Sequence, residues 1–96
     1  MKILAIEKEQ PGVQPDQFAA HLKAEALGTW SLYQSGVLRE LYFRQDRPEA
    51  VLMLECTDAE EAQRVLNGLP LVQAGLITFE IIPLKPYTGF ARLFAS

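Results

Sequence analysis

The sequence predicts an α+β domain with elements in the order β-α-β-β-α-β. Three observations carry that reading. Four segments are rich in the apolar residues that strands favour, and two others repeat their apolar residues at helical spacing between recognisable start and stop signals. The middle two strand segments are separated by only the turn cluster Gln45-Asp46-Arg47-Pro48, which makes them an antiparallel hairpin. This order is the ferredoxin-like arrangement, a four-stranded antiparallel sheet with two helices on one face. A chain of 96 residues with 49% apolar and 22% charged content holds one such domain and leaves no room for a second.

The first strand is read over 1–8, with Ile3 and Ala5 on one face and Leu4 and Ile6 on the other. Two prolines and a glycine then mark a loop over 9–15. The first helix is expected to start near Pro15 or Asp16, where a proline and an acid suit a first turn. At about 100° per residue, Phe18, Leu22, Ala26, Trp30 and Tyr33 form one broad apolar face. The helix runs to about Gln34 and stops at Ser35-Gly36. Gly28 lies inside it, opposite that face, and costs about 1 kcal/mol relative to alanine.

The second strand is read over 37–44, with Leu41 and Phe43 on one face and Leu38, Glu40, Tyr42 and Arg44 on the other. The third covers 49–56 and is apolar on both faces. Thr57 is the expected cap of the second helix, with Glu60 completing a capping box. Ala62, Val65 and Leu66 form its apolar stripe, and Asn67-Gly68 ends it. Leu69-Pro70-Leu71 reads as extended, and 75–82 as the fourth strand. Residues 87–96 form an aromatic tail carrying Tyr87, Phe90 and Phe94, expected to pack on a neighbouring subunit.

Composition removes several function classes. Nine basic and twelve acidic residues, unclustered, give a net charge of −3, which argues against nucleic-acid binding. One cysteine and one histidine exclude an internal disulfide and argue against a Cys/His metal cage, heme or iron–sulfur ligation. No cofactor is expected. No apolar run reaches the ~18 residues of a membrane span, and early charges at Lys2, Glu7 and Lys8 argue against a signal peptide. The expected setting is the cytoplasm.

Two helices cover only one face of such a sheet, and the other should be polar if water meets it. Here Ile3/Leu4, Val51/Leu52, Met53/Leu54 and Ile81/Ile82 place apolar groups on both sides. Each such side chain is worth roughly 1.5–3 kcal/mol when buried. The expected partner is a second copy, sheet against sheet, in a homodimer or a higher even oligomer.

The stretch Asp58-Ala59-Glu60-Glu61-Ala62, then Leu69-Pro70-Leu71, then 75–84 ending in Pro83-Leu84 resembles the muconolactone isomerase-like group of the dimeric α+β barrel superfamily and its YCII-like relatives. The resemblance covers about forty residues. It implies the dimeric barrel and a cofactor-independent isomerase that moves a proton on a small unsaturated organic acid or lactone. The matching stretch carries no reactive group, so it transfers no catalytic residue.

Candidate chemistry therefore comes from residue types. His21 and Glu25 are four apart on the first helix, where a carboxylate could orient an imidazole as a base; the alternative is an exposed helix-surface pair. Glu40, Tyr42 and Arg44 share a strand face, so Glu40 could move a proton while Arg44 and Tyr42 hold a carboxylate; the alternative is a solvated sheet edge. Glu7, Glu55 and Glu80 sit near strand ends, where burial would make one a proton shuttle. Trp30 and Tyr33 are core residues or the wall of a substrate pocket between helix and sheet. Cys56 reads as a buried structural thiol. Two functions remain open: the isomerase, with Glu40, His21 and Glu25 catalytic and Arg44, Tyr42, Trp30 and Tyr33 binding substrate, or a non-catalytic ligand-binding or oligomerisation module on the same barrel.

Overall fold

The computed structural model describes residues 1–95; Ser96, the end of the expected aromatic tail, lies outside them. The four strands are β1 (Lys2–Glu9), β2 (Leu38–Phe43), β3 (Ala50–Glu55) and β4 (Ile77–Pro83). They form one antiparallel sheet in the order β2-β3-β1-β4. This is the α+β, ferredoxin-like arrangement, and each strand lies within two residues of its expected bounds.

One sheet face is the core. Ile3 and Ala5 of β1, Leu52 and Leu54 of β3, and Ile77 of β4 are buried on it. Helix α3 (Ala59–Leu66) seats Ala62 and Leu66 against that layer. The opposite face carries Leu4, Ile6, Val51 and Met53, all half-buried, with Glu40 and Tyr42 on the edge strand.

Five local expectations change. The first helix is two helices, α1 (Pro15–Ala19) and α2 (Leu22–Gln34), joined by a tight turn in which the His21 N–H donates to the Phe18 carbonyl at 2.9 Å. The junction contains neither proline nor glycine, so apolar spacing passes over it unmarked. Leu69-Pro70-Leu71 is not extended: Leu69 caps a one-turn helix, α4 (Pro70–Gln73), with Pro70 at its first position. The cap of α3 is Asp58, whose carboxylate accepts from the Glu61 N–H at 2.8 Å. Thr57 instead donates its hydroxyl to Glu61 Oε2. The pairing of β2 with β3 shifts between Leu38 and Glu40, so a bulge falls at Arg39. It returns Leu38 to the core face beside Leu54, away from Glu40 and Tyr42.

The fifth change concerns α2. Its expected apolar face exists, but every residue of the helix is at least partly exposed. Leu32 packs on the core, while the stretch from Leu22 to Thr29 stands off the sheet. Gly28 explains part of this geometry. A Cβ there would sit 3.1 Å from Leu69 Cδ2, so the glycine lets α2 lean on α4 and not on the strands. Gly36, at φ 86°, takes the left-handed turn that ends α2. Beyond β4 the chain closes in a short 3-10 helix, Gly89–Leu93, with Tyr87, Phe90 and Phe94 all exposed.

Candidate functional site

Because α2 stands away from the sheet, a cavity of about 760 Å³ opens between them. Phe18, Leu22 and Ala26 form its helical wall; Leu52 and Phe79 form much of its floor. The surface is mostly apolar, and the polar groups that interrupt it are chiefly carboxylates.

Glu7 is the central one. It continues the inward phase of β1 after Ile3 and Ala5 and pairs across the sheet with Phe79. Only 8% of the residue is exposed. Desolvation lifts its carboxyl from the ordinary 4.5 to about 7, opposed by the Ala50 backbone N–H and assisted by the negative charges of Glu49, Glu25 and Glu9. A carboxyl at about 7 is half-protonated at neutral pH and can give or take a proton.

Glu25 enters from α2. Its Oε1 accepts the Leu71 N–H at 2.9 Å, supplying the first turn of α4 with a partner that the turn lacks internally. Burial raises its pKa as well, while the Leu71 N–H and the charge on His21 hold it down. Of the three carboxyls that border the cavity, Glu7 and Glu25 thus stand in different settings, one shifted chiefly by lost water and one anchored to the Leu71 N–H. Such a difference separates acid from base.

A second groove of about 380 Å³ runs along the seam of α2 and β2 and shares Ala26, Thr29, Leu41 and Tyr42 with the first. Trp30 and Tyr33 flank it, their rings stacked with centroids 5.8 Å apart. They are 54% and 53% exposed, so they wall a groove and are not core.

The residues singled out in the sequence are therefore divided. Glu25 lines the inner cavity, and His21 sits beside it at the α1–α2 junction. Glu40, Trp30 and Tyr33 border the outer groove, and Tyr42 borders both spaces. The Tyr42 hydroxyl donates to Glu40 Oε1 at 3.0 Å, which keeps the phenol protonated by raising its pKa. Arg44 lines neither space. Its guanidinium grips Asp46 through bonds of 2.8 and 2.6 Å, with Glu49 at 3.9 Å. Sequence alone does not separate Glu7 from Glu55 and Glu80 as a strand-end glutamate and does not assign it to the site. Its signal was phase: an acid at the third inward position of a strand whose first two are Ile3 and Ala5. Cys56 is buried, and burial together with Glu61 raises its pKa, as suits an inert thiol.

Among the described residues, no group of three His, Cys, Asp or Glu side chains is placed to hold a metal ion. No helix among them is long and apolar enough to cross a membrane.

Comparison with known proteins places the fold. A crystal structure of muconolactone isomerase matches with a TM-score of 0.75 over 92% of each chain, at 17% identity. The 5-chloro-2-hydroxyhydroquinone dehydrochlorinase of Burkholderia phenoliruptrix AC1100, in complex with 2,5-dihydroxybenzoquinone, matches with a TM-score of 0.59 at 20% identity. That match covers 93% of this chain and 98% of the other. No family model and no curated protein matches the chain. The protein has the muconolactone isomerase fold.

Proposed function

We propose that this protein is a cofactor-independent enzyme that moves a proton within a small unsaturated carbonyl compound of the lactone type. The observation that carries the reading is the pair Glu7 and Glu25 in one apolar cavity, with the Glu7 carboxyl poised at about 7. The likeness in fold to muconolactone isomerase and to a dehydrochlorinase supports it. A proton shift between carbon atoms requires a base, a donor toward the carbonyl oxygen and exclusion of water; it requires no redox partner.

In this reading Glu25 is the base. Its bond from the Leu71 N–H favours the charged form, and a mostly apolar wall leaves that charge strongly felt. Glu25 takes a proton from the carbon next to the carbonyl. The C–H electron pair moves into the dienolate, toward whose oxygen protonated Glu7 donates a hydrogen bond. The proton returns from Glu25 to the far carbon, and the double bond shifts into conjugation. His21 supports Glu25 as a neighbouring charge. Arg44 has no part, because Asp46 occupies it.

The test is the isomerisation of a β,γ-unsaturated γ-lactone to its conjugated isomer, followed by ultraviolet absorbance across pH. The rate should fall above about pH 7 as Glu7 loses its proton, and fall again in acid as Glu25 gains one. Glu25→Gln should remove turnover, and Glu7→Gln should remove the alkaline limb. Turnover that survives Glu25→Gln sinks the assignment.

The reading includes a homodimer formed through the open sheet face, where Leu4, Ile6, Val51 and Met53 form a half-buried apolar patch. The exposed Tyr87, Phe90 and Phe94 are read as packing on that neighbouring copy, in the cytoplasm. Native mass spectrometry tests the assembly; a stable monomer removes it.

A further inference from the structure

We infer that the cavity takes an uncharged planar carbonyl compound of two rings or more, its carbonyl between Glu7 and Glu25 and its far ring beside Trp30, and not a small carboxylate. The inference rests on the proton-transfer reading for what the two carboxyls do to the ligand. Charge, size and continuity support it independently of any reaction.

Charge comes first. Glu7, Glu9 and Glu25 border the inner cavity, and no lysine, arginine or histidine is among its described lining residues. The arginines at the nearby turn are engaged: Arg44 with Asp46, and Arg47 with Glu49 at 3.6 Å. A carboxylate ligand would give up its hydration, meet like charge across a mostly apolar space, and find no cation in the lining, the charge of His21 lying outside it beside Glu25. A ketone, lactone or quinone loses far less on entry and gains a donor from protonated Glu7. The outer groove does not reverse this balance. It holds Arg39, whose guanidinium donates to the Gly36 carbonyl, but Glu40 stands beside it.

Size and continuity come next. A volume of about 760 Å³ falls in the roughly 300–1,000 Å³ range that accommodates drug-sized ligands. A single-ring lactone would leave most of it to water. The outer groove adds about 380 Å³ and meets the inner cavity at Ala26, Thr29, Leu41 and Tyr42. A planar ligand lying along the α2–β2 seam would reach Trp30, and aromatic stacking rewards that arrangement. It would also explain why α2 presents Leu22, Ala26 and Trp30 to a space and not to the sheet.

Calorimetric titration of the full chain at pH 6.5 with three probes tests the inference. The probes are 2-acetylnaphthalene, its carboxylate counterpart 2-naphthoate, and the one-ring acetophenone. The two-ring ketone should bind at least about tenfold more tightly than either of the others. Trp30→Ala should remove its advantage over acetophenone, and Glu25→Gln should strengthen naphthoate binding several-fold. Naphthoate binding as tightly as the ketone, or acetophenone doing so, overturns the inference. So does the failure of all three to bind, the result expected if the aromatic tail of a second copy fills the cavity. Exchange of the ketone's methyl protons with deuterium oxide separates this inference from the reading beneath it. Selective ketone binding without exchange upholds the ligand class and removes proton transfer.

Discussion

Replacing Glu7 with glutamine should remove the pH dependence of stability that this side chain imposes. In the unfolded chain the carboxyl titrates near 4.5; in the folded protein it titrates near 7. Between those values the native state holds a proton that the unfolded state has released. Stability therefore falls as pH rises, with the full contribution present below 4.5 and gone above 7. The gap corresponds to about 3 kcal/mol, taken as a ceiling because the carboxyl faces a cavity that admits water. Glu7→Gln keeps the shape and cannot ionise. Urea denaturation at fixed protein concentration, from pH 4.5 to 8.5, should show the two proteins drawing apart as pH rises. The variant should become the more stable by up to about 3 kcal/mol at the alkaline end. Parallel curves would refute the reasoning: Glu7 would then titrate alike in both states, and the poised acid on which the mechanism depends would not exist.

Other predictions follow from single contacts. Asp58→Ala should cost about 1 kcal/mol by urea denaturation, because the Glu61 N–H loses its acceptor, while Thr57→Ala should cost less. Gly28→Val should destabilise by roughly 1–3 kcal/mol in the same assay. Its first carbon already meets Leu69 Cδ2 at 3.1 Å and Pro70 Cδ at 3.8 Å, and two further methyls add to the crowding of the α2–α4 contact. Arg44→Ala should leave the KM of the lactone assay unchanged, since Arg44 lines neither the cavity nor the groove. A large rise in KM would restore it as a carboxylate clamp.

Much of the fold was legible because its signals are local. Alternation along 1–8 separates Ile3 and Ala5 from Leu4 and Ile6, and β1 keeps that separation. The four-residue gap at 45–48 allows little but a hairpin, and β2 and β3 form one. Where the local signal is weak, sequence and structure part. The turn at His21 has no proline or glycine to announce it, and the bulge at Arg39 shifts alternation by one residue without any change in composition. The proline of Leu69-Pro70-Leu71 favours an extended segment locally, but proline equally suits the first turn of a helix, and α4 takes that option.

The candidate site was legible only in its ingredients. The sequence by itself determined that carboxylates lay near strand ends and that the first helical segment carried Phe18, Leu22, Ala26, Trp30 and Tyr33 on one side. Tertiary structure decided which of these line the cavity. Glu25 meets the backbone of Leu71, 46 residues away, and Glu7 loses water only because the sheet, Phe79 and the helices over that face close around it. Arg44, equally promising as a residue type, is neutralised by Asp46 two positions along its own turn. Periodicity is written in neighbours a few residues apart and survives translation into helices and strands. Desolvation and the pairing of charge are properties of the space that distant segments enclose, and they exist only once the chain has folded.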